Sequence, residues 1–109
     1  LSAAVSKKNV EINDRKFIIG VLKVANGCFV VVSEDSELRL GSVSMSVKTG
    51  EQISSSLLVP SKFGGFLDTM LSEMVANVVK GIVVASLFIS REMDPQSIKK
   101  LLSEVRSLL

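Results

Sequence analysis

Few residues in this 109-residue chain have the type and spacing that chemistry requires. Histidine is absent, which removes the commonest general base and the commonest transition-metal ligand. Cys28 is the single thiol, and with no imidazole to activate it, it reads as a small hydrophobe of the core. Glu34, Asp35 and Glu37 gather carboxylates in one stretch but lack the ligand spacing and central glycine of an EF-hand loop, so they read as a solvated turn. "SKFGGF" at 61–66 runs into a helix, where free backbone N–H groups can cradle phosphate. A Walker-type cradle, however, needs a lysine and a hydroxyl after the last glycine. Gly65 is followed by Phe66, Leu67 and Asp68, so Gly64 and Gly65 read as a flexible way into the helix. "KTG" at 48–50 and "SIKK" at 97–100 match fragments of the penicillin-binding serine hydrolases, but in reversed order and on a chain far too short for that fold. Nothing here converges on a catalytic, cofactor or metal site, and no enzymatic activity is expected.

Composition narrows the class further. Apolar residues make up 47 % and charged residues 22 %, which describes a folding chain of single-domain size. Thirteen basic against eleven acidic residues leave a net charge of +2, too weak to argue for nucleic acid or an anionic membrane. Lys7, Lys8, Arg15, Lys16, Lys99, Lys100 and Arg106 are scattered, and no tyrosine or tryptophan offers a platform for bases. The apolar runs at 17–22 and 82–89 fall far short of the ~20 residues of a spanning helix. "LSAAVSKK" lacks the apolar centre of a signal peptide. The lone cysteine is compatible with a reducing compartment, and a soluble, cytoplasmic chain is expected. Residues 7–109 are expected to form one domain, with 1–6 as a flexible N-terminal segment.

The first half alternates and turns. "KNVEIN" (8–13) and the almost wholly apolar "KFIIGVLKVA" (16–25) read as strands separated by "NDR". Asn26-Gly27 carries the strongest hairpin signal, a type I′ turn into the strand "CFVVVS" (28–33). "GSVSMSV" (41–47) alternates serine with Val43, Met45 and Val47, and the side formed by Ser42, Ser44 and Ser46 reads either as a small polar contact surface or, preferably, as solvent-exposed. "KTGEQ" (48–52) is a loop, and "SSSLLV" (54–59) a strand ending before Pro60.

Beyond Pro60 the period changes. Phe63, Phe66, Leu67, Met70, Leu71, Met74, Val75, Val78 and Val79 recur at three and four and predict an amphipathic helix closed by Gly81 as its left-handed cap. "IVVASLFIS" (82–90) is a strand. Asp94 as N-cap and Pro95 at the first helical position open a last helix whose core side is Ile98, Leu101, Leu102, Val105, Leu108 and Leu109. The expected architecture is α+β: a mainly antiparallel sheet of about six strands with two helices on one face. Yet 16–25, 28–33 and 82–89 are apolar on both sides, with Ile82, Val84 and Phe88 opposite Val83, Leu87 and Ile89. Either the sheet folds on itself or a second chain covers the other face, and with so few strands a dimer is the expectation.

With the elements in order, "VEINDRKFIIGVLKVANGCFVVVSEDSELRLGSVSMSV", "SSSLLVPSKFGGFLDTMLSEMVANVV" and "KGIVVASLFISREMDPQSIKKLLSEVRSLL" together resemble the proteasome assembly chaperone 3 family over residues 10 to about 107. The resemblance lies in element order, hydrophobic rhythm and local runs such as "FVVVSE", "LGSVSMS" and "VVASLFISREMDPQSIKKLLSEV". It implies a helix–sheet–sheet–helix dimer, formed with itself or with a related assembly chaperone. It also implies a non-catalytic chaperone that binds α-subunits of the 20S proteasome while the α-ring forms. The family's candidate α-subunit contact, the loop between the fourth and fifth strands, corresponds here to Lys48, Thr49, Gly50, Glu51 and Gln52. Val84 and Leu87 are the candidate dimer-face residues, the choice depending on which faces the partner sheet. A roadblock or longin-type dimeric scaffold for a GTPase or trafficking complex is the alternative; it is disfavoured because roadblock domains usually open with a helix and this chain opens with strands. A phosphate-binding enzyme or carrier using the Gly-Gly turn and Lys62 is a third reading.

Overall fold

A computed structural model of the chain describes residues 4–63 and 65–109; Gly64, the first of the paired glycines, lies outside the described residues, as do positions 1–3. The elements run β1 (Ala4–Ile12), β2 (Arg15–Val24), β3 (Gly27–Ser33), β4 (Ser42–Thr49), β5 (Gln52–Val59), α1 (Leu67–Val79), β6 (Ile82–Phe88) and α2 (Pro95–Arg106). This is the α+β order expected from the sequence. β1 starts at Ala4, so Ala4, Val5 and Ser6 of the segment expected to be flexible are paired in the sheet.

The six strands form one open sheet in the order β1-β2-β3-β6-β4-β5. All neighbours are antiparallel except β3 and β6, which pair in parallel. That parallel pair requires a crossover, which the β4–β5 hairpin and α1 provide. Both helices cover the same face. Phe17, Ile19, Val21, Val30, Val32, Val83 and Leu87 on the sheet form one core with Leu67, Leu71 and Val75 of α1 and Leu101 and Val105 of α2. α2 starts as the sequence predicts: the Asp94 carboxylate accepts from Ser97 N–H at 3.1 Å, with Pro95 in the first helical turn.

The β1–β2 turn falls on Asn13 and Asp14 of "NDR", as the sequence predicts, both at positive φ (50° and 65°), the geometry of a type I′ hairpin. Three other turns depart from expectation. The next turn is made by Ala25 and Asn26, neither of which has positive φ, and Gly27 already belongs to β3. Gly27 is required for a different reason: a Cβ there would lie 1.8 Å from the Ile82 carbonyl oxygen, where β3 and β6 begin their parallel ladder. Gly81 serves the same junction, since its Cβ would come within 2.3 Å of the Asn26 carbonyl oxygen. The left-handed cap of α1 therefore falls on Lys80, at φ 55°, one residue before the glycine expected to take it. "KTGEQ" is not an open loop: Thr49 pairs with Gln52 across a two-residue turn of Gly50 and Glu51.

The largest correction concerns α1. Its buried face is Leu67, Asp68, Leu71, Ser72, Val75 and Ala76, while Phe66 is 84 % exposed and Met70 also faces solvent. The polar residues turn inward because β4 presents polar residues to them. Ser42, Ser44 and Ser46 are buried under the helix, not solvated. Ser42 Oγ donates to Asp68 Oδ1 at 2.6 Å, Ser44 Oγ donates to the Asp68 carbonyl at 2.9 Å, and Ser46 Oγ lies 2.8 Å from Ser72 Oγ. Small hydroxyl side chains let the helix approach closely, and each buried hydroxyl is satisfied.

Candidate functional site: the open face of the sheet

Strand alternation and register fix the opposite face residue by residue. One row crosses all six strands: Val5, Leu22, Phe29, Val84, Met45 and Ser56 are consecutive cross-strand partners. A second row joins Val24, Gly27, Ile82, Val47 and Ser54. No helix covers these rows. Phe29 is 48 % and Ile82 41 % exposed, while Leu22, Val84, Met45 and Val47 are half-buried only by one another and their neighbours. One end of the face is partly closed by residues 34–41. Ser33 Oγ accepts from Arg39 N–H at 3.1 Å, and Ser86 Oγ accepts from Gly41 N–H at 3.0 Å. Ile18 and Ser33, at that end, are buried. What remains is a contiguous, largely apolar surface bordered on the β1 side by Lys7, Asn9 and Glu11.

The two candidate dimer-face residues separate on this geometry. Val84 lies at the centre of the open face. Leu87 has the opposite parity, is 1 % exposed and sits in the core beneath the helices, so it cannot meet a partner sheet. The apolar character of β6 on both sides made the two indistinguishable in the sequence.

The candidate contact at the β4–β5 hairpin is placed elsewhere, at the margin of the sheet. Lys48 Nζ donates to Asn77 Oδ1 at 2.6 Å and Lys48 N–H to the Gly81 carbonyl at 3.2 Å, tying the hairpin to the end of α1. Thr49, Gly50, Glu51 and Gln52 are exposed. Hairpin and open face therefore share β4 and β5 but do not form one pocket.

The residues with chemical potential are dispersed. Cys28 is on the helix-covered face, and burial pushes its thiol up, away from the nucleophilic thiolate, against a weaker opposing pull from Lys23. Glu34 is bound bidentately by Arg15, at 2.6 and 2.8 Å, and Asp35 pairs with Arg39. Ser97 is committed to Asp94 and to Asn13. In the first turn of α1 the buried Asp68 carboxylate also accepts from Ser61 Oγ at 3.0 Å, which puts a negative group where a phosphate would have to lie. Lys62 Nζ stands 5.5 Å above the Phe63 ring. Among the described residues no group of three or more Cys, Asp or Glu side chains could hold a metal ion, and no helix is long and apolar enough to cross a membrane.

No family model matches the sequence, and no curated protein matches it. Among solved structures, the fold is similar to that of a chain in the crystal structure of a chaperone complex for yeast 20S proteasome assembly. The TM-score is 0.67 over 99 % of this chain and 93 % of that one, at 12 % sequence identity. The likeness is one of fold: the six strands and two helices of this chain superpose on that chain over nearly the whole length of both.

Proposed function

We propose that this chain is a non-catalytic cytoplasmic chaperone that binds α-subunits of the 20S proteasome and promotes assembly of the α-ring, acting as a dimer through the open face of its sheet. The observation that carries the reading is the uncovered apolar row Leu22, Phe29, Val84 and Met45 on a fold shared with a yeast proteasome assembly chaperone. An apolar sheet face of this kind is stabilised by a second sheet packed against it, from another copy or a related chain. The β4–β5 hairpin, Lys48 to Gln52, remains accessible beside such an interface and is assigned to α-subunit contact.

Assembly chaperoning demands no reactive side chain. It demands that the dimer bind the incomplete ring more tightly than the finished particle, because only differential affinity both promotes assembly and permits release. The reading is tested by titrating the purified chain, alone and with a related assembly chaperone, against individually purified α-subunits. A one-to-one complex with an α-subunit, weakened by Gly50→Asp and Glu51→Lys in the hairpin, is expected. Failure of every α-subunit to bind overturns the reading.

A further inference from the structure

The two edges of the sheet are built differently. β1 carries Lys7, Lys8 and Glu11, charged side chains of the kind that discourage an incoming strand. β5, by contrast, contains no charged residue, proline or glycine, and all its residues except Ile53 are exposed. It is paired with β4 alone, so on its outer side every second residue turns its N–H and C=O away from the sheet.

The surface beside this edge is apolar. Leu57, Leu58 and Val59 are exposed at the end of β5. Phe66, the N-cap of α1, and Met70 and Glu73 within it follow at i, i+4 and i+7 and so share one helix face. Glu73 accepts a hydrogen bond of 2.5 Å from Ser55 Oγ of β5, so that face borders the strand. Phe66 and Met70 are both exposed there.

We propose that the free edge of β5 takes an extended, uncharged segment of a partner protein as a seventh strand, with Phe66 and Met70 receiving the apolar side chains it turns toward the helix layer. A strand is the occupant that fits, because outward peptide groups at strand spacing are satisfied by another strand. The lack of charge over residues 52–59 leaves nothing to pair with an acidic or basic segment. β5 also continues the open face through Ser54 and Ser56, so an added strand lengthens that face at the same time. The edge site stands whether or not the proteasome is the client.

The test uses the full chain, isotopically labelled for amide NMR. The probe is a peptide of alternating valine and threonine flanked by lysines for solubility, and its control is the same peptide N-methylated at every valine and threonine. The unmethylated peptide is expected to shift the amides of 52–59, Phe66 and Met70. The methylated one should bind at least about tenfold more weakly, since it keeps the side chains but cannot donate backbone hydrogen bonds. Phe66→Ser, at an exposed position, should weaken the peptide by about threefold or more with the melting temperature unchanged. No shift in 52–59 at about 1 mM peptide, or equal binding of the two peptides, overturns the proposal. Protection of the 52–59 amides that grows with protein concentration before peptide is added assigns the edge to a second copy and also overturns it.

Discussion

Replacing Glu34 by glutamine removes the charge from a clamp that joins three separate parts of the chain. Arg15, at the start of β2, donates through Nε and Nη2 to the Glu34 carboxylate just after β3, and through Nη1 and Nη2 to the carbonyls of Glu92 and Arg91 ahead of α2. Glu34 Oε1 also accepts from Ser90 N–H and Oγ–H at 2.9 and 3.0 Å. Burial alone would push the Glu34 carboxyl up; the hydrogen bonds from Arg15 and Ser90 and the nearby guanidinium charge outweigh it and hold the group at about 2 instead of 4.5. At about 1.4 kcal/mol per pH unit, that displacement corresponds to about 3 kcal/mol favouring the folded, ionised state. The folded value lies below the unfolded one, so this contribution is complete above pH 4.5 and is lost as the pH falls toward 2. Urea and thermal denaturation of the wild type and Glu34→Gln between neutral pH and about pH 2 measure it. At neutral pH the variant is expected to be less stable by about 3 kcal/mol, or roughly 10–20 °C in Tm for a domain of this size. The gap between the two proteins should close as the pH falls below 4.5. A gap under about 1 kcal/mol at neutral pH, the range of a surface ion pair, would refute the clamp, as would a gap that does not change on acidification.

The two β6 substitutions should separate cleanly. Val84→Asp leaves the monomer folded, with an unchanged circular dichroism spectrum, but abolishes association in sedimentation; Leu87→Asp buries a carboxylate in the core and should prevent folding. Gly27→Ala forces the β3–β6 junction apart, because its Cβ would meet the Ile82 carbonyl at 1.8 Å, and a loss of about 2 kcal/mol or more in urea denaturation is expected. Asp68→Ala removes the shorter acceptor of the buried Ser42 hydroxyl and should lower stability by about 1–3 kcal/mol; a melting temperature equal to wild type would show that β4 and α1 are not held by this bond.

The element order was legible because each element carries its own local signal: an almost wholly apolar, β-branched run in β2, period two in β4, period three to four in α1, and Asp94-Pro95 at the start of α2. The strand order was not, since pairing β3 with β6 in parallel is a long-range choice with no local signature. Asn26-Gly27 misled for a related reason: its glycine answers to the Ile82 carbonyl, distant in sequence, and not to the turn. The serines of β4 were misassigned because alternation reports two faces without saying which is inside. Their burial depends on Asp68 and Ser72 of α1, polar residues that the apolar periodicity placed outward by one position. The open apolar face was foreseeable from the two-sided hydrophobicity of β2, β3 and β6, but choosing Val84 over Leu87 needed the helices in place.

Whether this sheet serves proteasome assembly is decided by affinity capture of the tagged chain from the lysate of its own cells, with mass spectrometry of what is retained. Proteasome α-subunits without mature β-subunits are expected, together with a second assembly chaperone if the open face pairs with a relative. Recovery of GTPases or trafficking subunits and no proteasome component would contradict that role, leaving a shared fold put to a different use.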